Sequence, residues 1–518
     1  MAETDAKSGG SSLSKALMVL KEVCCAQDPM RFADLVERSE LPKATAHRIL
    51  NTLVDEGLVR FEDNSQLYHQ GYGLLELAHK AWSSMDIRDL AADQMKNLWQ
   101  ETKNGVDCSG VYQALNTDID VDVAVVGGGF SGLSSAYHLA KNGLTVAVLE
   151  ASDIGEGASG RNVGLTNAGL WIMPKKAQQL LGTKQGEQLN QLLIDAPGYV
   201  AELIDRNNLD CDFTPNGTLH LAHSKAAVSV LQERRRQLQH YGANIDFIDR
   251  QATFEKTQAQ GYYGALLDHR AGKLHPLKYC QGLAGIAQQK GAKIYTHSAV
   301  TDIEKVNDRL LLTTAGGKVT ASKVVLATNA YEEHIDYSKG LFTPLYFCQL
   351  ASAPLSDEQQ KHCLADDNGC WDSGAVMRSF RKDSENRLLV GTVGNIHSCD
   401  AKGFKYWAKH VVAKTFEQLG ALEYQYAWSG RIAKSHNNIP QLSQIDNNII
   451  QIMGYSGRGI AGATVAGKEI AEYLTDQKTA EQLALPFNQA KPISFNQLRA
   501  SVYELGSQIS HCSDHLIR

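Results

Sequence analysis

The chain has 518 residues, of which 43% are hydrophobic and 21% charged, and its formal net charge is −6. This profile indicates a globular protein of several domains with no overall attraction to nucleic acid or to a membrane surface. No apolar run approaches the roughly 20 residues of a membrane span and the polar N-terminus is no signal peptide, so we expect a cytoplasmic protein.

Several catalytic signatures are absent from the sequence. It contains no G-x-S-x-G elbow, no H-E-x-x-H pair and no P-loop, which argues against hydrolase, zincin and phosphotransferase activities. The ten cysteines are scattered without the spacing of a zinc site, so we expect reduced thiols and no metal.

The first part of the chain predicts a small helical domain behind a disordered tail of residues 1–10. Apolar residues at helical spacing predict three helices, with inner stripes at Leu13, Ala16, Leu17 and Leu20, then at Phe32, Leu35 and Val36, then at Ala46, Ile49, Leu50 and Leu53. Pro42 is predicted at the first position of the third helix, where its missing N–H costs nothing. Two short apolar runs around Asp63-Asn64 predict a two-stranded wing.

Three helices and a wing are typical of the winged helix-turn-helix, whose third helix enters the major groove. The segments SLSKALMVL and LPKATAHRILNTLVDEGLVR resemble the DNA-binding domain of IclR-type transcriptional regulators, over residues 12–106. The resemblance implies four residues that meet double-stranded DNA, namely Lys43, Thr45, His47 and Arg48. It also implies that residues 86–104 form a helix that leads out of the domain and helps to form a homodimer.

The charge of this region leaves a second interpretation open. Residues 1–116 hold 12 Lys and Arg against 17 Asp and Glu, a balance of −5, whereas affinity for DNA rests mainly on neutralised phosphates. The winged helix is therefore either a DNA-binding domain with a local basic face or an element kept for dimerisation or packing. The match to the regulators fades within residues 105–120, so we place a seam near residues 107–118.

A dinucleotide-binding unit follows the seam. Residues 123–126 predict a buried strand, and Gly127, Gly129 and Gly132 form G-x-G-x-x-G where that strand turns into a helix. A second strand ends at Glu150, 18 residues after Gly132, where a carboxylate can accept the hydroxyls of an adenosine ribose. An ordinary βαβ packing turn is the alternative.

Two further glycine-rich stretches predict cofactor contacts. Ser159, Arg161 and Asn162 alternate with glycines in a loop after Glu150, and short polar side chains there could wrap a cofactor, although an ordinary surface loop is the alternative. Near the C-terminus a strand at residues 449–453 leads into Gly454, Gly457 and Gly459 and a helix from about residue 461 to 474. The positive end of that helix would stabilise negative charge on a flavin ring.

The residues between these stretches mix helices and strands. Residues 234–236 are three consecutive arginines, which we interpret as a solvated helix face. In a fold of two dinucleotide halves, Val300 would lie where the backbone reaches the adenine.

The segments VAVVGGGFSGLSSAYHLA, GASGRN, LHPLKY, LATNAY and GYSGRGIAGATVAGKEIA resemble the D-amino-acid-oxidase-like (DAO) family of FAD-dependent oxidoreductases. The resemblance implies a multi-domain fold, in which a winged-helix domain precedes an α/β Rossmann-like FAD-binding domain with an interleaved α+β antiparallel-sheet substrate domain. It implies FAD as cofactor, held by Gly127, Gly129, Phe130, Ser131, Gly132, Glu150, Ser159, Arg161, Asn162, Val163, Gly164, Val300, Thr328, Gly454, Gly457, Arg458, Gly459 and Ile460.

The domain boundaries follow from these assignments. We expect a winged helix over residues 11–84, a linker helix and seam over 85–117, the oxidoreductase over 118–477 and a C-terminal extension over 478–518. The FAD-binding parts are predicted at residues 118–195, 290–335 and 428–477, and the substrate domain at 196–289 and 336–427.

The resemblance also implies a reaction. Family members oxidise a C–N bond of a small amine or amino acid by passing a hydride to the flavin, which leaves an imine for water to hydrolyse. In glycine-oxidase-like members an arginine in a Tyr-x-Arg motif holds the substrate carboxylate, and Ser379-Phe380-Arg381 corresponds here, with the tyrosine replaced. Two alternatives stay open, a transcriptional regulator that uses the flavin domain as sensor and an enzyme that carries an idle winged helix.

Overall fold

The structure is a computed structural model and describes residues 12–25, 29–39, 41–62, 65–71, 73, 97–102, 112–332, 335, 337–396, 401–487 and 491–516. The chain divides into two compact units, Met1–Gln94 and Met95–Arg518. The predicted tail of residues 1–10, the turn at Asp63-Asn64 and most of the predicted linker helix lie outside the described residues.

The first unit is a three-helix domain with a small sheet. Its elements are α1 (Ser12–Cys25), β1 (Met30–Arg31), α2 (Phe32–Ser39), α3 (Lys43–Asp55), β2 (Val59–Glu62) and β3 (Leu67–Gln70). The sheet has the antiparallel order β1-β3-β2. All four residues predicted for the inner stripe of α3 are buried, because they recur every three or four residues on one face.

Two details of the first unit differ from the predictions. In α1 the buried side chains are Val19 and Val23, and Ala16 and Leu20 of the predicted stripe pack against the same core, whereas Leu17 is 50% exposed. The predicted stripe consists of leucines and one alanine and therefore omits these two valines, which lie four residues apart on one face of the helix. Pro42 is the N-cap of α3 and not its first helical residue.

The second unit contains the remaining described elements. Its helices are α4 (Leu98–Glu101), α5 (Phe130–Lys141), α6 (Pro174–Leu181), α7 (Thr183–Asn207), α8 (Lys225–Gln239), α9 (Arg250–Thr257), α10 (Pro276–Gln289), α11 (Asp357–Lys361), α12 (Ala401–Thr415), α13 (Gly459–Leu474) and α14 (Asn496–Leu516). Its strands are β4 (Ile119–Val126), β5 (Val146–Leu149), β6 (Thr218–Leu221), β7 (Ile245–Asp249), β8 (Gly264–Asp268), β9 (Lys293–Tyr295), β10 (Asp302–Val306), β11 (Arg309–Thr313), β12 (Lys318–Leu326), β13 (Thr343–Pro354), β14 (Gly369–Asp372), β15 (Arg378–Lys382), β16 (Arg387–Val393), β17 (Tyr424–Lys434), β18 (Gln441–Asp446) and β19 (Ile449–Met453).

The first large sheet of this unit carries the dinucleotide-binding strands. Its order is β10-β11-β12-β4-β5-β9, and β19 also pairs with β12 and with β18. Strands β12, β4, β5 and β9 run parallel, and β19 runs parallel to β12. Ligands of such sheets bind beyond the carboxyl ends of the strands, and all three predicted cofactor stretches follow those ends.

The second large sheet has the order β17-β13-β16-β15-β14-β6-β8-β7. Its pairs are antiparallel except β14 with β6, which are parallel, so the sheet is mixed and not purely antiparallel. Parallel neighbours need a long connection, and here the chain between β6 and β14 supplies it.

Helices α5 and α13 pack with their backbones in contact. A Cβ on Gly467 would lie 2.5 Å from the Ser134 Cβ and 2.6 Å from the Ser135 nitrogen. Ser134 Oγ also donates to the carbonyl of Thr464, 2.6 Å away. The absence of a side chain at Gly467 therefore permits this close approach.

The described helices were also assessed for membrane insertion. None of them combines the length and the apolar character that crossing a bilayer requires.

Candidate active site

The turn between β4 and α5 brings Gly127 and Gly132 against other backbone groups and Gly129 against the Ser159 side chain. Gly127 has a φ of +109°, and a Cβ there would lie 2.9 Å from the Ala327 carbonyl. A Cβ on Gly132 would lie 2.0 Å from the Gly127 oxygen. Gly129 is the N-cap of α5, so the positive end of this helix faces an open turn, where a phosphate can bind.

Glu150 lies beside this turn, at the end of β5. Its two carboxylate oxygens accept N–H groups from Gly128 at 2.6 Å and from Ser152 at 2.9 Å. Burial nevertheless raises the pKa of Glu150, with these hydrogen bonds opposing the shift. Ribose hydroxyls would add donors to the buried carboxylate, which supports the predicted role.

The loop after Glu150, residues 157–164, is called the flavin loop here. Ser159 Oγ accepts the N–H of Phe130 at 3.0 Å, which places this loop at the N-terminus of α5. The Asn162 side chain donates to the carbonyls of Ala158 and Ser159 and accepts the Gly164 N–H, while Arg161 forms an ion pair with Glu156 outside the loop. The loop is thus held by its own polar side chains and is not an unconstrained surface turn.

The second glycine loop meets the first one in space. Tyr455 and Ser131 join through their hydroxyls at 2.6 Å. Gly454 has a φ of +84° and donates its N–H to Asn329 Oδ1 at 3.0 Å. Helix α13 begins at Gly459 with Arg458 as its N-cap, two residues before the predicted start.

The remaining predicted cofactor residues differ in what they offer. Thr328 Oγ1 is buried and has no hydrogen-bond partner among the described residues, so it is ready to bind a ligand. Val300 is 3% exposed and packs in the core of the first large sheet. Phe130 and Ile460 also have buried side chains, so only their backbones could contact a cofactor. A cradle without Cβ atoms, a buried acid and an unpartnered hydroxyl together fit FAD.

Arg381 is buried, at 2% exposure, on β15. Its Nη1 donates to the carbonyls of Val163 and Gly164, both at 3.0 Å, and of Leu274 at 2.8 Å. Burial lowers the pKa of Arg381 to about 10. These contacts commit Nη1 to the flavin loop, and the role of Arg381 as carboxylate anchor stays a prediction.

Three side chains that the sequence did not single out surround Arg458, a residue predicted to bind the cofactor. The aromatic cage consists of Trp171, His220, Trp371 and Arg458. The Arg458 guanidinium carbon lies 4.6 Å from the centre of the Trp171 ring and 4.8 Å from that of Trp371. His220 stacks on Trp371 with ring centres 3.5 Å apart, and Trp171 Nε1 donates to the Ser456 carbonyl at 2.6 Å.

Three polar atoms of the cage lack a hydrogen-bond partner among the described residues. They are His220 Nδ1, Trp371 Nε1 and Arg458 Nε, and all three atoms are buried. Burial lowers the pKa of Arg458 to about 9, and the nearby Arg234 adds to this shift. Buried polar groups are normally satisfied, so this cluster is suited to a polar, anionic ligand.

Arg234 corrects the interpretation of the three arginines as a solvated face. It donates to the carbonyls of Leu170, at 3.0 Å, and of Trp171, and burial lowers its pKa to about 10. The first arginine therefore supports the cage, because its helix turns that side chain inward. Arg236 is exposed.

The predicted DNA-contacting surface lies on α3. Lys43, His47 and Arg48 are exposed and Thr45 is half-buried. Together with Phe32, Ala44 and Asn51, the three exposed residues line an open concavity of about 540 Å³. The predicted basic side chains therefore share one outward face.

Comparison with known families confirms both resemblances. The family described as FAD dependent oxidoreductase (DAO) matches residues 122–473, and the IclR helix-turn-helix domain matches residues 12–63. These matches confirm the predicted fold class and FAD as the cofactor.

Individual relatives and structures resemble most of the chain. Gamma-glutamylputrescine oxidoreductase of Escherichia coli K12 is 31% identical over 408 residues, covering 77% of this chain and 95% of that protein. A probable oxidoreductase OrdL of Rhizobium meliloti is 27% identical, covering 70% and 86%. Among solved structures, glycine oxidase from Geobacillus kaustophilus has a TM-score of 0.57 at 21% identity, covering 70% of this chain and 96% of that one. L-proline dehydrogenase from P. horikoshii has a TM-score of 0.58 at 20% identity, covering 71% and 95%.

Proposed function

Because the chain belongs to the FAD dependent oxidoreductase family, we propose that it oxidises a C–N bond of a small amine or amino acid that carries a carboxylate. The relative named gamma-glutamylputrescine oxidoreductase covers most of the chain and supports an amine attached to a carboxylated group. The single observation that carries the proposal is the half-buried aromatic cage, with an arginine between two indole rings beside the glycine loop.

The cage residues have distinct tasks in this proposal. Arg458 binds the substrate carboxylate: its Nη1 already donates to the Ala168 carbonyl, whereas its Nε has no partner among the described residues. Trp371 Nε1 and His220 Nδ1 orient the polar groups of the substrate, and the indole faces exclude water. Burial holds the pKa of His220 far below its ordinary value, so the ring stays neutral. FAD, when bound, accepts the hydride that leaves the substrate carbon.

The proposal is tested by reduction of the purified full-length protein under anaerobic conditions. Gamma-glutamylputrescine, glycine and putrescine, which has no carboxylate, are mixed with the protein, and bleaching of its visible flavin band is followed. We expect a carboxylated amine to bleach the band and putrescine to act far more slowly. A protein that cannot take up FAD, or that putrescine bleaches fastest, contradicts the proposal.

Variants of the cage separate substrate binding from cofactor binding. We expect Arg458→Lys to raise the KM of the carboxylated substrate by about tenfold or more, because lysine lacks the planar fork that pairs with a carboxylate. Trp371→Phe should raise KM by a few fold through the loss of one donor. Arg206→Lys, at an exposed side chain on α7, is the matched control. Loss of FAD with an unchanged KM would instead assign Arg458 to the cofactor, as its position in the glycine loop first suggested.

A second candidate function is favoured by the IclR helix-turn-helix match and by the exposed basic face of α3. In this candidate the chain is a DNA-binding regulator, in homodimeric form, and the flavin domain senses substrate or redox state. A mobility-shift assay with oxidised and substrate-reduced protein tests it. Equal or absent binding in both states would leave an enzyme with an idle winged helix.

A further inference from the structure

Residues 97–102, here called the connector, join the chain of the first unit to the oxidoreductase. They form the short helix α4 with its N-cap at Asn97, and they belong to the second unit. Leu98 and Trp99 are 0% and 1% exposed and share a core cluster with Leu277 and Trp428. A segment that only linked two domains would not bury its largest side chains in one of them.

The connector binds the flavin loop through side-chain donors. Trp99 Nε1 donates to the Asn162 carbonyl at 3.0 Å. Asn97 Nδ2 donates to the Gly160 carbonyl at 3.3 Å, and the Asn97 Oδ1 caps α4 by accepting the Trp99 N–H.

These contacts complete a series of five consecutive backbone carbonyls, those of residues 160–164, each of which accepts a hydrogen bond from a side chain. The donors are Asn97 for Gly160, Gln349 and Trp428 for Arg161, Trp99 for Asn162, and Arg381 for Val163 and Gly164. Because the N–H and C=O of a trans peptide point in opposite directions, the N–H groups of Asn162 and Val163 face away from these donors. The connector therefore helps to set which way the flavin loop presents its N–H groups.

The other side of the connector contacts residues that also support the loop. The Arg381 guanidinium carbon lies 5.2 Å from the centre of the Trp99 ring. The centres of the Trp99 and His275 rings are 4.8 Å apart. Thr102 Oγ1 and His275 Nε2 are 3.1 Å apart. Arg381 and the connector thus depend on each other for their positions.

We propose that the connector is a positioning element for the cofactor site, so that FAD binding and docking of the connector stabilise each other. The inference rests on the proposed placement of FAD against the flavin loop. Coupling of this kind is reciprocal: a connector that is held in place tightens FAD binding, and bound FAD protects the connector. The same segment leads to the winged helix, so occupancy of the flavin site controls the attachment point of that domain.

Affinity for FAD in full-length variants is the first test. Trp99→Phe keeps the ring but removes the donor to Asn162, and Asn97→Ser keeps an N-cap acceptor but removes the donor to Gly160. Each is expected to raise the Kd for FAD about threefold to tenfold, measured by quenching of flavin fluorescence on addition of the FAD-free protein. Trp407→Phe, at a tryptophan 2% exposed in a separate core cluster, is the matched control and should leave the Kd unchanged.

Protection of the connector is the reciprocal test. We expect limited proteolysis to cleave the wild-type chain within the connector, residues 97–102, more slowly with FAD than without it, and Trp99→Phe to reduce this difference. Equal cleavage rates together with an unchanged Kd in both variants would overturn the inference. If the wild-type chain fails to bind FAD at all, the proposed function fails instead, and the two results are distinguishable.

Discussion

Arg381 is surrounded by backbone carbonyls. Its Nη1 contacts three of them, and its Nε donates to the Lys382 carbonyl at 3.3 Å. A guanidinium suits such a site because its planar fork offers several donors and it is weakly hydrated. The carbonyl contacts give Arg381 a structural task, and its role as carboxylate anchor stays a prediction.

Replacement of Arg381 by lysine distinguishes these roles. We expect Arg381→Lys to raise the Kd for FAD about tenfold, because a single ammonium cannot satisfy all of the carbonyls. The KM of a carboxylated substrate, measured at saturating FAD, should change by less than about twofold, within the effect of one weak hydrogen bond. A large rise in KM with an unchanged Kd would instead support the carboxylate anchor. Arg206→Lys again serves as the control.

Single residues could be predicted from the sequence where their partners lie nearby in the chain. The three glycines of the first turn and Glu150 occur within one βαβ unit, so their spacing indicated a shared site. Trp171, His220 and Trp371 come from separate segments and meet only because the mixed sheet faces the glycine loop. No local pattern in the sequence brings these three residues together. Trp171 was a local signal for one of them, because it follows directly on the glycine-rich stretch after Glu150.

At the scale of elements, α10 depends on a buried histidine. His275 is its N-cap, with Nδ1 accepting the Lys278 N–H at 3.2 Å, so the neutral ring carries its proton on Nε2, which faces Thr102. Burial lowers the pKa of His275 to about 3. Between pH values of about 3 and about 6.5, His275 therefore binds a proton in the unfolded chain but not in the folded chain.

Stability should consequently fall as the pH drops below about 6.5, the ordinary pKa of histidine. Between pH 7 and pH 5 this residue alone should cost about 2 kcal/mol of unfolding free energy. Asparagine is also a good N-cap, so His275→Asn should keep α10 and remove this part of the loss. Thermal unfolding measured across this pH range checks the expectation, with His240→Asn at an exposed site as control. An equal pH dependence in wild type and His275→Asn would contradict it.

Elements followed the sequence closely where periodicity was unambiguous. The strand before Gly454 and the inner stripe of α3 were predicted correctly, because a short apolar run and helical spacing are local properties. The place of Leu17 in α1 and the direction of Arg234 were not, since each depends on what packs against the helix. The docking of the connector also depends on distant partners, and the sequence indicated only a linker.

At the scale of the whole molecule, the first unit has a basic face on α3, although the segment of the chain that contains it is acidic overall. Lys43 and Arg48 lie on the exposed face of α3, whereas residues 1–116 carry a balance of −5. We expect DNA affinity to be modest and strongly dependent on salt. The double variant Lys43→Ala with Arg48→Ala should reduce the slope of log affinity against log salt by about 2.

This expectation can be measured with genomic duplexes that the full-length protein enriches, by fluorescence anisotropy at several salt concentrations. Lys21→Ala with Arg38→Ala removes two exposed charges elsewhere in the first unit and should leave the slope nearly unchanged. If the wild-type protein enriches no duplex, the winged helix serves dimerisation or packing instead.

The backbone contact between α5 and α13 has a consequence for the cofactor site. A side chain at position 467 would collide with Ser134 and with the backbone of Ser135, so it would push the two helices apart. Each of these helices begins at one of the two glycine loops. A substitution at Gly467 would therefore change the spacing between the loops without removing any residue of either loop.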